Sequence, residues 1–484
     1  MKQLLQMKRA MRTALLILLL IAVEIVNAQV SIWDGTWEQW THGTGTEGNP
    51  FLIENAQQLA YLAYQVNNGL GADENHVVGI GQYYKMMVDV DLNGNESFQW
   101  TPIGYWNSGT DYQCFGGHFD GNNHVITNLY ISSNADRIGF FGFVNNAIIE
   151  NLNTAQNSVI TTNYAAGGIV GCAIGTTTIR NCNNLSGRVS SEDSSGGILG
   201  SCINNAIIYI SNCSNHGEVS SHKQVGGIAG CIYYSNVSIM NCYNKGTIMV
   251  SGGINYQHAG GILGLNLAST AIVTNCYNTG NASIIGDGHS HFAGGVIGLS
   301  SYNVANVTNC YNVGNVAITS LGNAGGIGNI DYGGTVNAIN CYYLNTCGGN
   351  NTYGGVAMTS TQMRDPQFVS TLNQGQATPV WESDYAIPIN DGYPILEWQQ
   401  STGVNENDAL FVAVYPNPTN GNVTIEAENL KHITISNLLG QCIYEGNASG
   451  NAFEYDFSKN TAGLYFIRIE TANGVTEKKV TVKR

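Results

Sequence analysis

Few residues in this 484-residue chain are placed to do chemistry. Between positions 101 and 345 there are nine acids and five bases, little from which to build a catalytic carboxylate pair. His118 and the run Asp120-Gly121-Asn122-Asn123-His124 come nearest. Sugar-cleaving sites need carboxylates clustered on one face, with Arg or Lys to take a proton or stabilise charge. Asp-Gly is a turn dipeptide, however, and the two histidines read as turn residues beside it. Asp89-x-Asp91-x-Asn93-Gly94 opens like a calcium loop, but its twelfth position is Trp100, where a bidentate Glu is required. Gly43-x-Gly45-x-x-Gly48 follows no strand and opens no βαβ unit, so it reads as coincidence rather than a dinucleotide fingerprint. There is no HExxH, Walker loop or G-x-S-x-G. The expectation is no cofactor, no metal and no catalytic residue.

A histidine-rich group is less bland. His222-Lys223, Tyr256-Gln257-His258 and His289-Ser290-His291-Phe292 fall at one corner of an internal repeat, where its period lengthens to 34. Loops on a stacked scaffold line up. His222, Lys223, Tyr256, His258, His289, His291 and Phe292 are therefore the candidate ligand-contacting ridge.

The repeat that must position them is explicit. Gly-Gly-apolar-x-Gly recurs at Gly167, Gly196, Gly226, Gly260, Gly294 and, in variant form, Gly325, in steps of 29, 30, 34, 34 and 31. Asn-Cys recurs at Cys182, Cys213, Cys242, Cys276, Cys310 and Cys341, in steps of 31, 29, 34, 34 and 31. Three short apolar segments per period, punctuated by Gly or Asn, suit one coil of a parallel β-helix.

Counting back from each cysteine, positions −3 (Ile179, Ile210, Ile239, Val273, Val307) and −5 (Ile208, Val237, Val336) are apolar and share the interior face. The Asn at −1 has the same parity, so its amide is expected inside, stacked on its neighbours. In-register cysteines stand ~4.8 Å apart, within disulfide range, but parallel side-chain vectors disfavour the ~90° torsion. Cys182 to Cys341 therefore read as a ladder of buried thiols, with Cys172, Cys202 and Cys231 as a shorter one. Cys341 and Cys347, flanking a short loop, are the disulfide candidate.

These two motifs resemble the GLUG repeat family of bacterial surface proteins over about residues 119–345. Trp33-Asp34-Gly35, Asn49-Pro50-Phe51-Leu52-Ile53, Gln58-Leu59-Ala60-Tyr61-Leu62-Ala63 and Trp100-Thr101-Pro102-Ile103-Gly104 resemble the leader of such proteins. The resemblance implies a right-handed β-helix and, in some members, an attached peptidase domain or an adhesive role. No peptidase motif accompanies the repeats here. Within the leader, Leu59, Leu62, Ala63 and Val66 lie at helical spacing, Asn55 and Gln58 are placed like a capping box, and Gly69 ends the run. Such a helix would cover the open first coil. Residues 346–400, with Trp381, Tyr385, Pro394 and Trp398, supply aromatic bulk for a C-terminal cover.

Both ends carry an address. Lys2, Lys8, Arg9 and Arg12 precede an apolar run from Ala14 to Val23, and Val26-Asn27-Ala28 offers small residues for cleavage between Ala28 and Gln29. Ten or so apolar residues fall short of the ~20 that span a bilayer, so no transmembrane segment is expected in the mature chain. Residues 411–484 alternate like the short strands of a small Ig-like β-sandwich. Val414-Tyr415-Pro416-Asn417-Pro418, Ile435 to Gln441, Ala462-Gly463-Leu464-Tyr465 and the closing Lys478 to Arg484 resemble the type IX secretion C-terminal sorting domain. Tyr415, Pro416, Asn417, Pro418, Gly463 and Tyr465 carry the likeness. It implies passage across an outer membrane by the type IX secretion machinery, removal of the domain, and surface attachment or release.

Composition narrows the rest. Eighteen basic residues and a net charge of −15 leave no footprint for nucleic acid. An apolar content of 43% can bury a core, which argues against disorder. The expected layout is a signal peptide at 1–28, a leader with capping helix and first coil at 29–118, and β-helix repeats at 119–345. A cover at 346–400, a linker at 401–410 and a sandwich at 411–484 complete this all-β chain. The expected role is a secreted, non-catalytic adhesin for a glycan or protein ligand. The alternatives are a polysaccharide-active β-helix enzyme and a structural surface-assembly component.

Overall fold

The computed structural model describes residues 30–483 apart from 162, 253–255, 288, 350–352, 385–387, 401–411, 416–418, 428–429, 438–441, 462 and 472–474. One coil shows the path. Asn157–Thr161, Ala165–Gly167, Val170–Ile174, Thr176–Arg180 and Asn183–Asn184 are short strands, each paired in parallel with its counterpart on the next coil. The sheets they belong to are S1 to S5 in that order. Among the described residues S1 and S2 hold seven strands each, S3 and S4 ten, and S5 eleven. The chain is a parallel β-solenoid.

Register follows the repeat. Val159, Val189, Val219, Ile248, Ala282 and Val316 form one interior row of S1. Ile149, Ile179, Ile210, Ile239, Val273 and Val307 form another in S4. None is more than 2% exposed. A slip of one residue would turn a whole row to solvent, so burial holds the register.

Parity fails at the S4–S5 corner. Asn181, Asn212, Asn241, Asn275 and Asn309 all have φ of 53° or 54°, the left-handed region that Asn tolerates. This kink puts the asparagine at the corner and turns its cysteine inward, against the expected placement of that Asn. The corner amides do stack, with Asn181 Nδ2 donating to Asn151 Oδ1 at 2.9 Å and Asn212 Nδ2 to Asn181 Oδ1 at 3.1 Å. A second, fully buried ladder lies two residues after each cysteine from Cys182 to Cys310. There Asn184 donates to Asn215 at 2.7 Å, and Asn215 to Asn244, Asn244 to Asn278 and Asn278 to Asn312 at 2.8 Å each.

Cys182, Cys213, Cys242, Cys276, Cys310 and Cys341 line the interior as free thiols, none more than 1% exposed. Cys341 and Cys347 are not bonded to one another. The Cys341 thiol instead donates to Val307 O at 3.4 Å and Ile339 O at 3.3 Å, inside the ladder. The shorter ladder does not form either. Cys202 registers with Ala173, while Ser201 sits between Cys172 and Cys231. An offset of one residue places Cys202 on the opposite face of S3.

The Gly-Gly-apolar-x-Gly motif builds the S2–S3 bend. A Cβ on Gly167, Gly196, Gly226 or Gly260 would stand 1.9 Å from a carbonyl oxygen three residues on. The bend is re-entrant, so the outer faces of S2 and S3 look at each other. Arg137 of S2 lies over the Phe143 ring of S3 at 5.7 Å, and Phe292 of S2 packs with Cys231, Leu265 and Leu299 of S3. A furrow therefore runs along the solenoid.

The N-terminal end carries helix α1, Ala56–Asn67. Asn55 caps it by accepting from Gln58 N at 2.8 Å. Gln58 Oε1 accepts from Glu54 N at 2.8 Å, one residue before the partner a capping box uses. Leu59, Leu62, Ala63 and Val66 join the solenoid core. At the other end Val356–Met358 adds a last strand to S5. The chain then runs back over an outer tyrosine row. Tyr243, Tyr277 and Tyr311 stack at 4.9 and 5.1 Å, Trp381 lies 5.4 Å from Tyr311, and Phe368 lies 5.1 Å from Tyr342. The cover thus straps the flank as well as the end.

The chain divides into two compact units between Ser383 and Asp384. The second holds a three-stranded and a four-stranded antiparallel sheet around its own core of Val423, Ile425, Ile433 and Ile467. Tyr465 is buried there, and its hydroxyl donates to Thr461 O at 2.8 Å, a back-bond of the tyrosine-corner kind seen in Ig-like sandwiches.

Candidate functional site

The histidine ridge divides. His222, Lys223, Tyr256 and His289 are exposed. His222 pairs with Glu192 at 2.7 Å and Lys223 with Asp193 at 3.0 Å, each one coil back. His258, His291 and Phe292 are not loop residues at all. They open the strands His258–Gly260 and His291–Gly294, and are 5%, 0% and 6% exposed. His258 and Phe292 register with each other in S2, ring centroids 6.0 Å apart. As folded, these three line the furrow's closed stretch and offer a ligand nothing.

The outer face of S4 assembles what the sequence left scattered. Lys85, Asp120, Glu150 and Arg180 share one row on consecutive coils, with His118 alongside. Lys85 Nζ lies 3.0 Å from Asp120 Oδ2, while Glu150 takes His118 Nε2 and Arg180 Nε at 2.5 Å each. Asp120 also accepts from Asn122 N and Asn151 Nδ2 at 2.8 and 2.9 Å. This is acid–base chemistry in kind, but every group is engaged by the next coil, so the cluster pins coils in register. Sequence separations of about one coil concealed it. His118 belongs to strand His118–Asp120, not to a turn. The calcium-like run is engaged similarly. Asp89 accepts from His124 at 2.9 Å, and Asp91 from Asn93 N and Asn128 at 2.7 and 2.8 Å.

The concave site lies in the leader, where sequence reasoning saw only a cap. Two adjoining cavities of about 310 and 370 Å³ share the wall Asn67, Trp100 and Thr101. Trp33, Trp37 and Tyr64 line the first; Tyr105, Trp106 and Arg137 line the second. Trp37 stacks on Tyr64 with ring centroids 4.3 Å apart and planes 21° apart, and they stay 45% and 37% exposed. Trp33 meets Trp100 edge-on at 5.3 Å. Asn67, the last residue of α1, fixes the shared wall by donating to Pro102 O and accepting from Gly104 N, both at 2.9 Å. Rigid aromatic faces in a concave, polar-edged place suit the apolar face of a sugar ring or an apolar peptide side chain. A compositional signal existed: five of the seven tryptophans (Trp33, Trp37, Trp40, Trp100, Trp106) precede residue 107.

Residues 413–483 match the secretion system C-terminal sorting domain. The protein is thus a type IX cargo, a β-solenoid joined to a sorting sandwich and exported to the cell surface or extracellular space. Of the sorting-motif residues, Tyr415 ends strand Val412–Tyr415 and Gly463 opens Gly463–Thr471. Pro416, Asn417 and Pro418 lie outside the described residues, as do Ala28, Gln29 and the whole signal segment. Among the described residues no helix is long and apolar enough to cross a membrane. Halomucin of Haloquadratum walsbyi is 30% identical over 158 residues, 31% of this chain and 2% of halomucin. A provisionally named Gly-rich membrane protein of Evansella cellulosilytica is 31% identical over 140 residues, 28% of this chain and 14% of that protein. The chain therefore spans only a small part of these curated relatives. Among solved structures, a provisionally assigned immunoglobulin A1 protease from Bacteroides ovatus is similar at a TM-score of 0.47 and 22% identity, over 74% of this chain and 95% of that one.

Proposed function

We propose that this exported solenoid is a non-catalytic adhesin of GLUG-repeat type, whose glycan or protein ligand sits in the aromatic groove of Trp33, Trp37, Tyr64 and Trp100. The exposed Trp37–Tyr64 stack carries the reading. Ordering two large rings costs little entropy here because α1 and the first coils already hold them. The sorting domain delivers the groove to the cell exterior, where such ligands are met. The test is to pass the full exported chain over glycans, mucins and matrix proteins while following both retention and product. Retention without product supports an adhesin. Neither signal favours a structural assembly role.

A second reading, a polysaccharide-active enzyme, is favoured by Asp120 and Glu150 standing on consecutive coils with Lys85 and Arg180. Product release abolished by E150Q would establish it and overturn the first.

A further inference from the structure

Arg137 differs from Lys85, Arg180 and Lys223, whose nitrogens lie within 3.0 Å of a carboxylate oxygen. It opens the S2 strand Arg137–Ile138, is 9% exposed, and lines the second cavity of the groove. Its Nε and Nη1 have no hydrogen-bond partner. Asp136 Oδ2 stands 3.7 Å from Nη1, a loose ion pair past hydrogen-bond range. The guanidinium is instead held by rings, 4.5 Å over Trp106, 5.3 Å from Tyr164 and 5.7 Å from Phe143. The Cys172 thiol touches the guanidinium, but burial outweighs the pull of Arg137 and keeps the thiol protonated, so it supplies no counter-charge.

A permanent cation with unmet donors is costly to bury. Aromatic faces orient a guanidinium but leave its in-plane N–H groups unanswered. The acceptor that answers them best is an anionic oxygen, which forms short, charge-assisted bonds with Arg. In a cavity of about 370 Å³ that also presents Trp100 and Trp106, that oxygen would sit on a ring able to stack. We propose that Arg137 anchors an acidic saccharide, binding its carboxylate or sulfate while the sugar ring lies against the groove's aromatic wall. This rests on the groove being the binding site.

The experiment measures affinity of the full chain for three probes: a galacturonate trisaccharide, its methyl ester, and a sulfated galactose trisaccharide. The expected result is that one or both anionic probes bind about tenfold or more tightly than the ester, a preference that salt weakens. R137Q should erase the preference, and R137K should restore part of it. Carboxylate and sulfate arms tell the two anions apart. Equal affinity of the wild-type chain for all three overturns the anchor while the groove stands, and that comparison needs no variant to fold. A preference that survives R137Q in a chain with an unchanged melting curve does the same. Failure of the wild-type chain to bind any of the three overturns the proposal together with the groove as a saccharide site.

Discussion

The backbone N–H of Cys182 points at the sulfur of Cys213 on the next coil, 3.4 Å away. The contact recurs from Cys213 to Cys242 at 3.4 Å and from Cys276 to Cys310 at 3.3 Å. The sulfurs of Cys213, Cys242 and Cys310 thus fill core positions and each accepts from an inward-turned amide. All six ladder thiols are buried, none more than 1% exposed, so an oxidant or a thiol reagent cannot reach them in the folded chain. Denatured without reductant, the chain should yield the six ladder cysteines, together with Cys114, Cys172, Cys202, Cys231 and Cys347, as free thiols, and the native chain almost none of these to a thiol reagent. A majority in disulfides would contradict the ladder.

The buried asparagine row should be worth more than the exposed one. Asn278 donates to Asn312 Oδ1 and Gly280 O and accepts from Asn244, all at 2.8 Å. N278L strands these partners in the core and should cost about 3 kcal/mol in denaturant unfolding. Asn337, bonded to Asn306 at 3.0 Å on the exposed face, should lose less than about 0.5 kcal/mol on N337A.

Close backbone approach makes the motif glycines irreplaceable. A Cβ on Gly226 would meet Ala229 O at 1.9 Å and Gly264 N at 2.7 Å, both backbone atoms that cannot swing aside. G226A should therefore lose soluble yield and β-sheet circular dichroism. G48A, with nothing within 4 Å of the new methyl, should match the parent.

Acid should weaken the solenoid through His258. Burial holds this imidazole down to about 3, against 6.5 for an ordinary histidine, and lowers His291 as well. The native chain keeps His258 neutral while the unfolded chain protonates. Stability is thus whole above about pH 6.5 and falls as pH drops toward about 3, with His258 contributing a loss of about 2 kcal/mol at pH 5. H258F, which copies Phe292 one coil on, should lose about that much less between pH 7 and pH 5. Parallel pH profiles would contradict it.

The coil was legible because Gly-Gly and Asn-Cys each mark a fixed corner, and the residues between them alternate. The cap was legible from Leu59, Leu62, Ala63 and Val66 at helical spacing. Asn181 and its equivalents were misplaced because parity counting assumes extended backbone, and a φ of 53° resets it. His258 and His291 were read as loop residues because the longer coils were measured to the Gly pair, whereas S2 begins before that pair. The groove was invisible for a different reason. Its wall joins Trp37, Tyr64, Trp100 and Arg137, which only coil stacking brings together.

The most direct test of the account takes whichever ligand the panel retains and measures its affinity for the full chain carrying W37A. Loss of an exposed, stacked tryptophan at the centre of the site should weaken binding about tenfold or more with the melting curve unchanged, while H222S and Y256S bind like the parent. Unchanged affinity in W37A, with binding lost in H222S or Y256S, would contradict the groove and return the site to the exposed part of the histidine ridge.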